Sequence, residues 1–193
     1  LRDELAGAQM NERASAERTR LDTTLDLRIQ RLLERQLRGC VARQRRFGVT
    51  NAAALLVDVR DLAVVASVGS VDFADAAIAG QVDGTRARRS PGSALKPFIY
   101  GLAFDQGLLH PMTVLKDSPQ AFGAQSPENF DGEFAGPLTA REALVRSRNV
   151  PAVAVGLQLR TPGLHQFLLE AGVGELADAR HYGLALYLGG AEV

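Results

Sequence analysis

Arg88-Arg89-Ser90-Pro91-Gly92-Ser93-Ala94-Leu95-Lys96-Pro97-Phe98 is the stretch on which the reading of this fold turns. A Pro-Gly turn leads into a serine, and an amine follows three residues on. Apolar residues then run at helical spacing through Ile99, Leu102 and Ala103. If a helix opens at Ser93, its hydroxyl and Lys96 share one face about one turn apart, so the amine can take the hydroxyl's proton. The free N–H groups and partial positive charge of a helix N-terminus favour a developing oxyanion at the same place. Pro97 has no N–H and is best tolerated in a first turn, which puts the helix start close to Ser93.

The 193 residues suffice for one domain with a real core, and 46% apolar content suits a globular chain rather than a disordered one. Basic and acidic residues balance at 22 each, so nothing points to nucleic acid as a partner. All but two of the basic residues are arginine, which makes the lysines Lys96 and Lys116 informative. Cys40 is alone, and His110, His165 and His181 fall in no ligand-like spacing, so neither a disulfide nor a metal is expected. No cofactor is expected either. No apolar run is long enough to span a bilayer.

In chain order, residues 1–20 read as a linker or peripheral helix. Asp26 can cap an amphipathic helix carrying Ile29, Leu32, Leu33 and Leu37, with Gly39 as its stop. Ala52–Val59 and Leu62–Val68 read as a hairpin of buried strands, and residues 69–89 as a long loop. Residues 108–137, rich in Pro, Gly, Asp and Asn, are expected to be irregular. Thr139 and Glu142 form a capping box for a helix that arrives at Ser147-Arg148-Asn149. Two more helices are expected over Pro151–Leu159 and Pro162–Ala171. Thr161 would cap the second, with Pro162 at its first position and Gly172 as stop.

Ser-x-x-Lys at a helix start, followed by Ser-x-Asn at a helix-to-helix turn, is the arrangement of penicillin-binding proteins and related β-lactamases. The match extends through Thr23-Thr24-Leu25-Asp26 with Gln30, Val68-Gly69-Ser70, Pro127 with Asn129, Ser147 to Ala152, and Leu188-Gly189-Gly190-Ala191-Glu192-Val193. From about Leu21 onward the chain resembles the transpeptidase domain of class A penicillin-binding proteins, the bifunctional glycosyltransferase/transpeptidases of bacterial cell-wall synthesis. The resemblance implies an α+β, serine β-lactamase-like fold with helices around an antiparallel sheet. Residues 21–193 would be its N-terminal portion.

The same resemblance implies roles. Ser93 would attack the penultimate carbonyl of a D-Ala-D-Ala stem peptide, with Lys96 as its base. Ser147 would relay a proton, Asn149 would hold Lys96 and the substrate amide, and Asn129 would contact substrate. β-Lactams would be trapped at Ser93, and the protein would work at the periplasmic or extracytoplasmic face of the inner membrane. Cell-wall synthesis proteins would be its partners. Simpler readings stand beside these: Ser93 and Ser147 as helix caps, Asn129 as a turn residue, and Arg148 as a solvated charge.

The family's third motif, Lys-Thr-Gly or Lys-Ser-Gly, does not occur. Lys116 precedes Asp117-Ser118 and lies between the first two motifs, so it cannot substitute. The expectation is a chain that stops before that strand, is crippled alone, and through its unpaired sheet edges either self-associates or lacks a partner fragment. The rival functions are a D,D-carboxypeptidase or serine β-lactamase, and a non-catalytic cell-wall or β-lactam-binding module.

Overall fold

A computed structural model describes residues 22–173 and 176–192. The linker or peripheral helix expected over 1–20 lies outside the described residues. The chain divides into two compact units, Leu1–Ala87 and Arg88–Val193.

In the first unit, helix α1 spans Leu27–Gln44. The Asp26 carboxylate caps it, accepting the N–H groups of Arg28 and Ile29 at 2.8 and 3.2 Å. The helix does not stop at Gly39. Leu33 and Leu37 are half-buried and Val41 is buried, so the apolar stripe continues past the glycine and outweighs its cost of about 1 kcal/mol. Gly48, at φ +84°, ends the segment after a single 3₁₀ turn.

Strands β1 (Ala54–Val57) and β2 (Val64–Val68) form the expected antiparallel hairpin, with a register shift between Leu56 and Val57. They are not both buried. Ala66 and Val68 are, whereas Leu55, Leu56 and Val57 are exposed. The Gln30 side chain on α1 docks on β2, donating to Ser67 O and accepting from Ser67 N–H, each at 2.9 Å. Thr24 Oγ1 donates to Val64 O at 2.6 Å. The Thr-Thr-Leu-Asp…Gln pattern is thus the fastening of α1 and its lead-in to β2. Residues 69–87 are irregular apart from a 3₁₀ turn at Ala76–Ile78.

The second unit is built on two short helices that are apolar nearly all round. Helix α2 spans Lys96–Asp105 and buries Ile99, Tyr100, Leu102 and Ala103. A second hairpin then appears where irregular chain was expected, pairing β3 (Val114–Asp117) with β4 (Gly136–Thr139). Gly136 and Pro137 read as breakers, but in a two-stranded ribbon the proline can sit on the open edge, where no N–H is needed. The structure therefore holds two separate antiparallel ribbons among the described residues, not one sheet.

Thr139 leads into helix α3 (Ala140–Val145) through the expected capping box with Glu142. Helix α4 (Asn149–Gly156) packs on α2 and buries Val150, Ala152, Val153 and Val155, with Pro151 harmless in its first turn. Helix α5 spans Leu164–Glu170, shorter than expected. Thr161 does not cap it: Gly163 takes the cap position, and the Thr161–Pro162 peptide is cis. Gly172, at φ +75°, ends it as expected. Helix α6 (Ala179–Tyr182) runs into a 3₁₀ segment, Gly183–Leu188, that packs on α4. No helix among the described residues is long and apolar enough to cross a membrane.

Candidate active site

Ser93 sits not in an α-helix but in a 3₁₀ turn, Gly92–Leu95, that feeds α2. Pro97 explains it. Lacking an N–H, it cannot give Ser93 O the i→i−4 bond, and the N–H of Lys96 takes that carbonyl instead. In 3₁₀ geometry residues three apart eclipse, so the two motif residues still share a face. Gly92 has φ +53°, and a Cβ on Gly189 would lie 2.1 Å from Gly92 O. Ser90 Oγ donates to Gly189 O. The Gly189 turn therefore braces the Ser93 turn at a distance no other residue allows.

Ser147 has φ +54°. It follows α3 where helices usually place glycine, with Ser147 N–H on Leu144 O and Arg148 N–H on Ala143 O at 3.0 and 2.9 Å. A serine there is strained, and both its carbonyl and its hydroxyl meet Lys96. Lys96 is 1% exposed. Its Nζ donates to Ser147 O at 2.5 Å, Ser147 Oγ at 3.1 Å and Asn149 Oδ1 at 2.6 Å. Burial, assisted by the positive charge of Arg148, lowers the amine's pKa to about 8.

Two of these partners are pure acceptors, and they suit the two hydrogens of a neutral amine. The third is a hydroxyl, which can turn and donate to the amine's lone pair. The site is thus satisfied whether Lys96 carries two protons or three, as a residue that exchanges protons requires. Ser93 is exposed and lines a cleft of about 400 Å³ together with Gly92, Phe130, Ser147, Asn149 and Leu188.

Asn129 also lines this cleft, but its amide is engaged within the protein. Nδ2 donates to Asp117 Oδ1 at 2.8 Å and Glu133 O at 2.9 Å, and Oδ1 accepts the Asn149 N–H at 2.7 Å. Asn149 Nδ2 in turn holds Glu128 O at 2.7 Å.

Arg148, expected to be solvated, is buried. Its Nε donates to Asp117 Oδ2 at 2.7 Å and Nη1 to Asp131 Oδ2 at 2.8 Å, while Nη2 donates to Glu133 O. Burial works against the charge of Asp117, but Ala135 N–H, Asn129 and Arg148 together hold its carboxyl below the usual range. Asp117 falls within the stretch expected to be irregular, where the structure instead forms β3. The available signal was an aspartate closing the apolar pair Val114-Leu115.

Similarity to known proteins decides the family. The penicillin-binding protein transpeptidase domain matches residues 52–190. The chain belongs to that family. The transpeptidase domain is 43% identical over 169 residues to penicillin-binding protein 1C of Escherichia coli K12, covering 88% of this chain and 20% of that protein. It is 30% identical over 141 residues to penicillin-binding protein 1F of Bacillus subtilis 168, covering 72% and 19%. The domain therefore spans about a fifth of these relatives' length. Its fold superposes on PonA1 of Mycobacterium tuberculosis with a TM-score of 0.74 at 21% identity, covering 99% of this chain and 51% of that one. A second PonA1 structure, in complex with penicillin V, gives 0.73. These relatives place the transpeptidase domain with the class A penicillin-binding proteins.

Proposed function

We propose that the domain performs D,D-transpeptidation of peptidoglycan through an acyl-enzyme on Ser93, and that β-lactams acylate the same serine. The observation that carries this is the amine of Lys96, buried and brought to a pKa of about 8 among Ser147 O, Ser147 Oγ and Asn149 Oδ1. At that value a substantial share is neutral near physiological pH and can accept a proton.

Ser93 Oγ attacks the penultimate D-alanine carbonyl, forming a C–O bond while its proton passes to Lys96. The C–N bond to the terminal D-alanine breaks, and Ser147 relays a proton onto the leaving amine. An acceptor amine from a neighbouring strand then attacks the ester. The C–O bond breaks, a C–N bond forms, and the amine's surplus proton returns to Ser93. Peptidoglycan as substrate places this chemistry outside the cytoplasmic membrane.

The test is intact-mass spectrometry after incubation with a fluorescent penicillin. It is run on this chain and on one extended through the next Lys-[Ser/Thr]-Gly, each beside its Ser93→Ala control. A Ser93-dependent adduct on the extended chain is expected. No adduct on either would count against the covalent route. Products formed with and without an acceptor amine separate transfer from hydrolysis.

A further inference from the structure

Among the described residues the buried charged side chains are Lys96, Asp117 and Arg148. Lys96 belongs to the proposed mechanism, and the other two have no role in it. Their bonds run without a break to the amine: Arg148 to Asp117, Asp117 to Asn129, Asn129 to the backbone of Asn149, and Asn149 Oδ1 to Lys96 Nζ. Arg148 also follows Ser147 directly, so anchoring its guanidinium anchors the left-handed turn that aims Ser147 O and Oγ.

We infer that Arg148 is a positioning residue, clamped by Asp117, Asp131 and Glu133 O so that the oxygens of Ser147 and Asn149 stay fixed around Lys96. The inference rests on the acyl-transfer reading for its purpose, but not for its geometry. The clamp has an electrostatic side. A fixed cation next to the amine favours its neutral form, and the buried Asp117 tempers that cation. The charged groups around Lys96 are Arg148 and, through it, Asp117 and Asp131; Arg146 lines the cleft beside them. Tyr100, on the same helix, is held neutral by burial and by Asp117.

An arginine held only for folding predicts something different. Loosening the cluster from either side would admit water and send Lys96 back toward a solvated amine. The clamp predicts opposite signs for its two halves.

The chain holds only two lysines, so Nζ-labelled lysine gives two NMR titrations, and Lys116→Arg assigns them. Arg148→Gln removes the cation and leaves Asp117 unpaired, and the Lys96 midpoint is expected to rise by about one pH unit or more. Asp117→Asn keeps the cation and removes its anion, and the midpoint is expected to fall. A midpoint that rises or stays in Asp117→Asn, or fails to rise in Arg148→Gln, overturns the inference.

Where a variant gives no folded protein, the unsubstituted chain decides. The Nε–H resonance of Arg148 must shift with the Lys96 midpoint, and a flat resonance there overturns the clamp equally. None of these readouts uses acylation. Expected titrations without any Ser93 adduct would remove the acyl-transfer reading and leave the clamp in place.

Discussion

Each unit holds an arginine–aspartate pair beside a hairpin, and the two pairs behave as different objects. Arg60 reaches back two residues to Asp58 in the turn of the first hairpin, at 2.5 Å. Its side chain is 85% exposed, so water and salt compete for both partners. Arg148 reaches Asp117 across 31 positions of sequence, with side chains 6% and 0% exposed. The chemistry of the pairs is the same; what differs is whether water can replace a lost partner. A buried pair adds little net stability over an apolar substitute, yet breaking it strands a charge.

The largest effect should therefore come from Arg148→Leu. It leaves Asp117 buried with two neutral donors, and a loss of about 3–5 kcal/mol is expected by denaturant titration. Asp117 also gives that stability a pH signature. Its folded carboxyl is held below the unfolded value, so its contribution is present above about pH 4 and is lost as pH falls through the folded value. Steeper acid unfolding in the wild type than in Asp117→Asn would show the linkage. Equal slopes would deny it.

Lys96 also favours the fold as pH rises, but through the burial of its charge rather than the pairing of it. A buried base with a pKa of about 8, against an ordinary 10.5, binds its proton less well folded than unfolded. Between those values the unfolded chain holds more protons, so raising the pH stabilises the fold. Wild type should therefore gain on Lys96→Met between about pH 8 and 10.5, by on the order of 2 kcal/mol. A constant difference across that window would mean that the amine is not buried as described.

Ser147→Gly sharpens the contrast between stability and function. Glycine adopts φ +54° freely, so this variant should be more stable by about 1 kcal/mol while losing the hydroxyl that meets Lys96. A gain in melting temperature with slower acylation of the extended chain is expected. A loss of stability would mean that the hydroxyl's bond outweighs the strain.

What could be read from the sequence divides along the same line as the two pairs. Local signals were sufficient where structure is local: the Asp26 cap, the β1–β2 hairpin, the Thr139–Glu142 box, and the one-turn spacing of Ser93 and Lys96. Gly39 failed as a stop because burial of Val41 overrides a weak propensity. The β3–β4 ribbon was lost because its pairing is non-local and one strand begins Gly-Pro. With it went Asp117, and without Asp117 nothing in Ser147-Arg148-Asn149 marks the middle residue as buried. A charge looks solvated until its partner is found.

The smallest expected effect is the control for the largest. Arg60→Ala removes three side-chain hydrogen bonds to Asp58, at 3.0, 3.2 and 2.5 Å, as Arg148→Leu removes those to Asp117, Asp131 and Glu133 O. Yet Asp58 still accepts the Arg60 N–H at 3.0 Å, and the turn is closed by backbone bonds from Asp58 N to Ala63 O and from Leu62 N to Asp58 O. Water replaces the guanidinium at once. The melting midpoint should stay where it is, and what little difference appears should vanish in high salt, where the Arg148 variant remains as damaged as before. A clear destabilisation by Arg60→Ala that persists in salt would show that this turn is shielded in solution, and exposure could no longer explain why the two pairs differ.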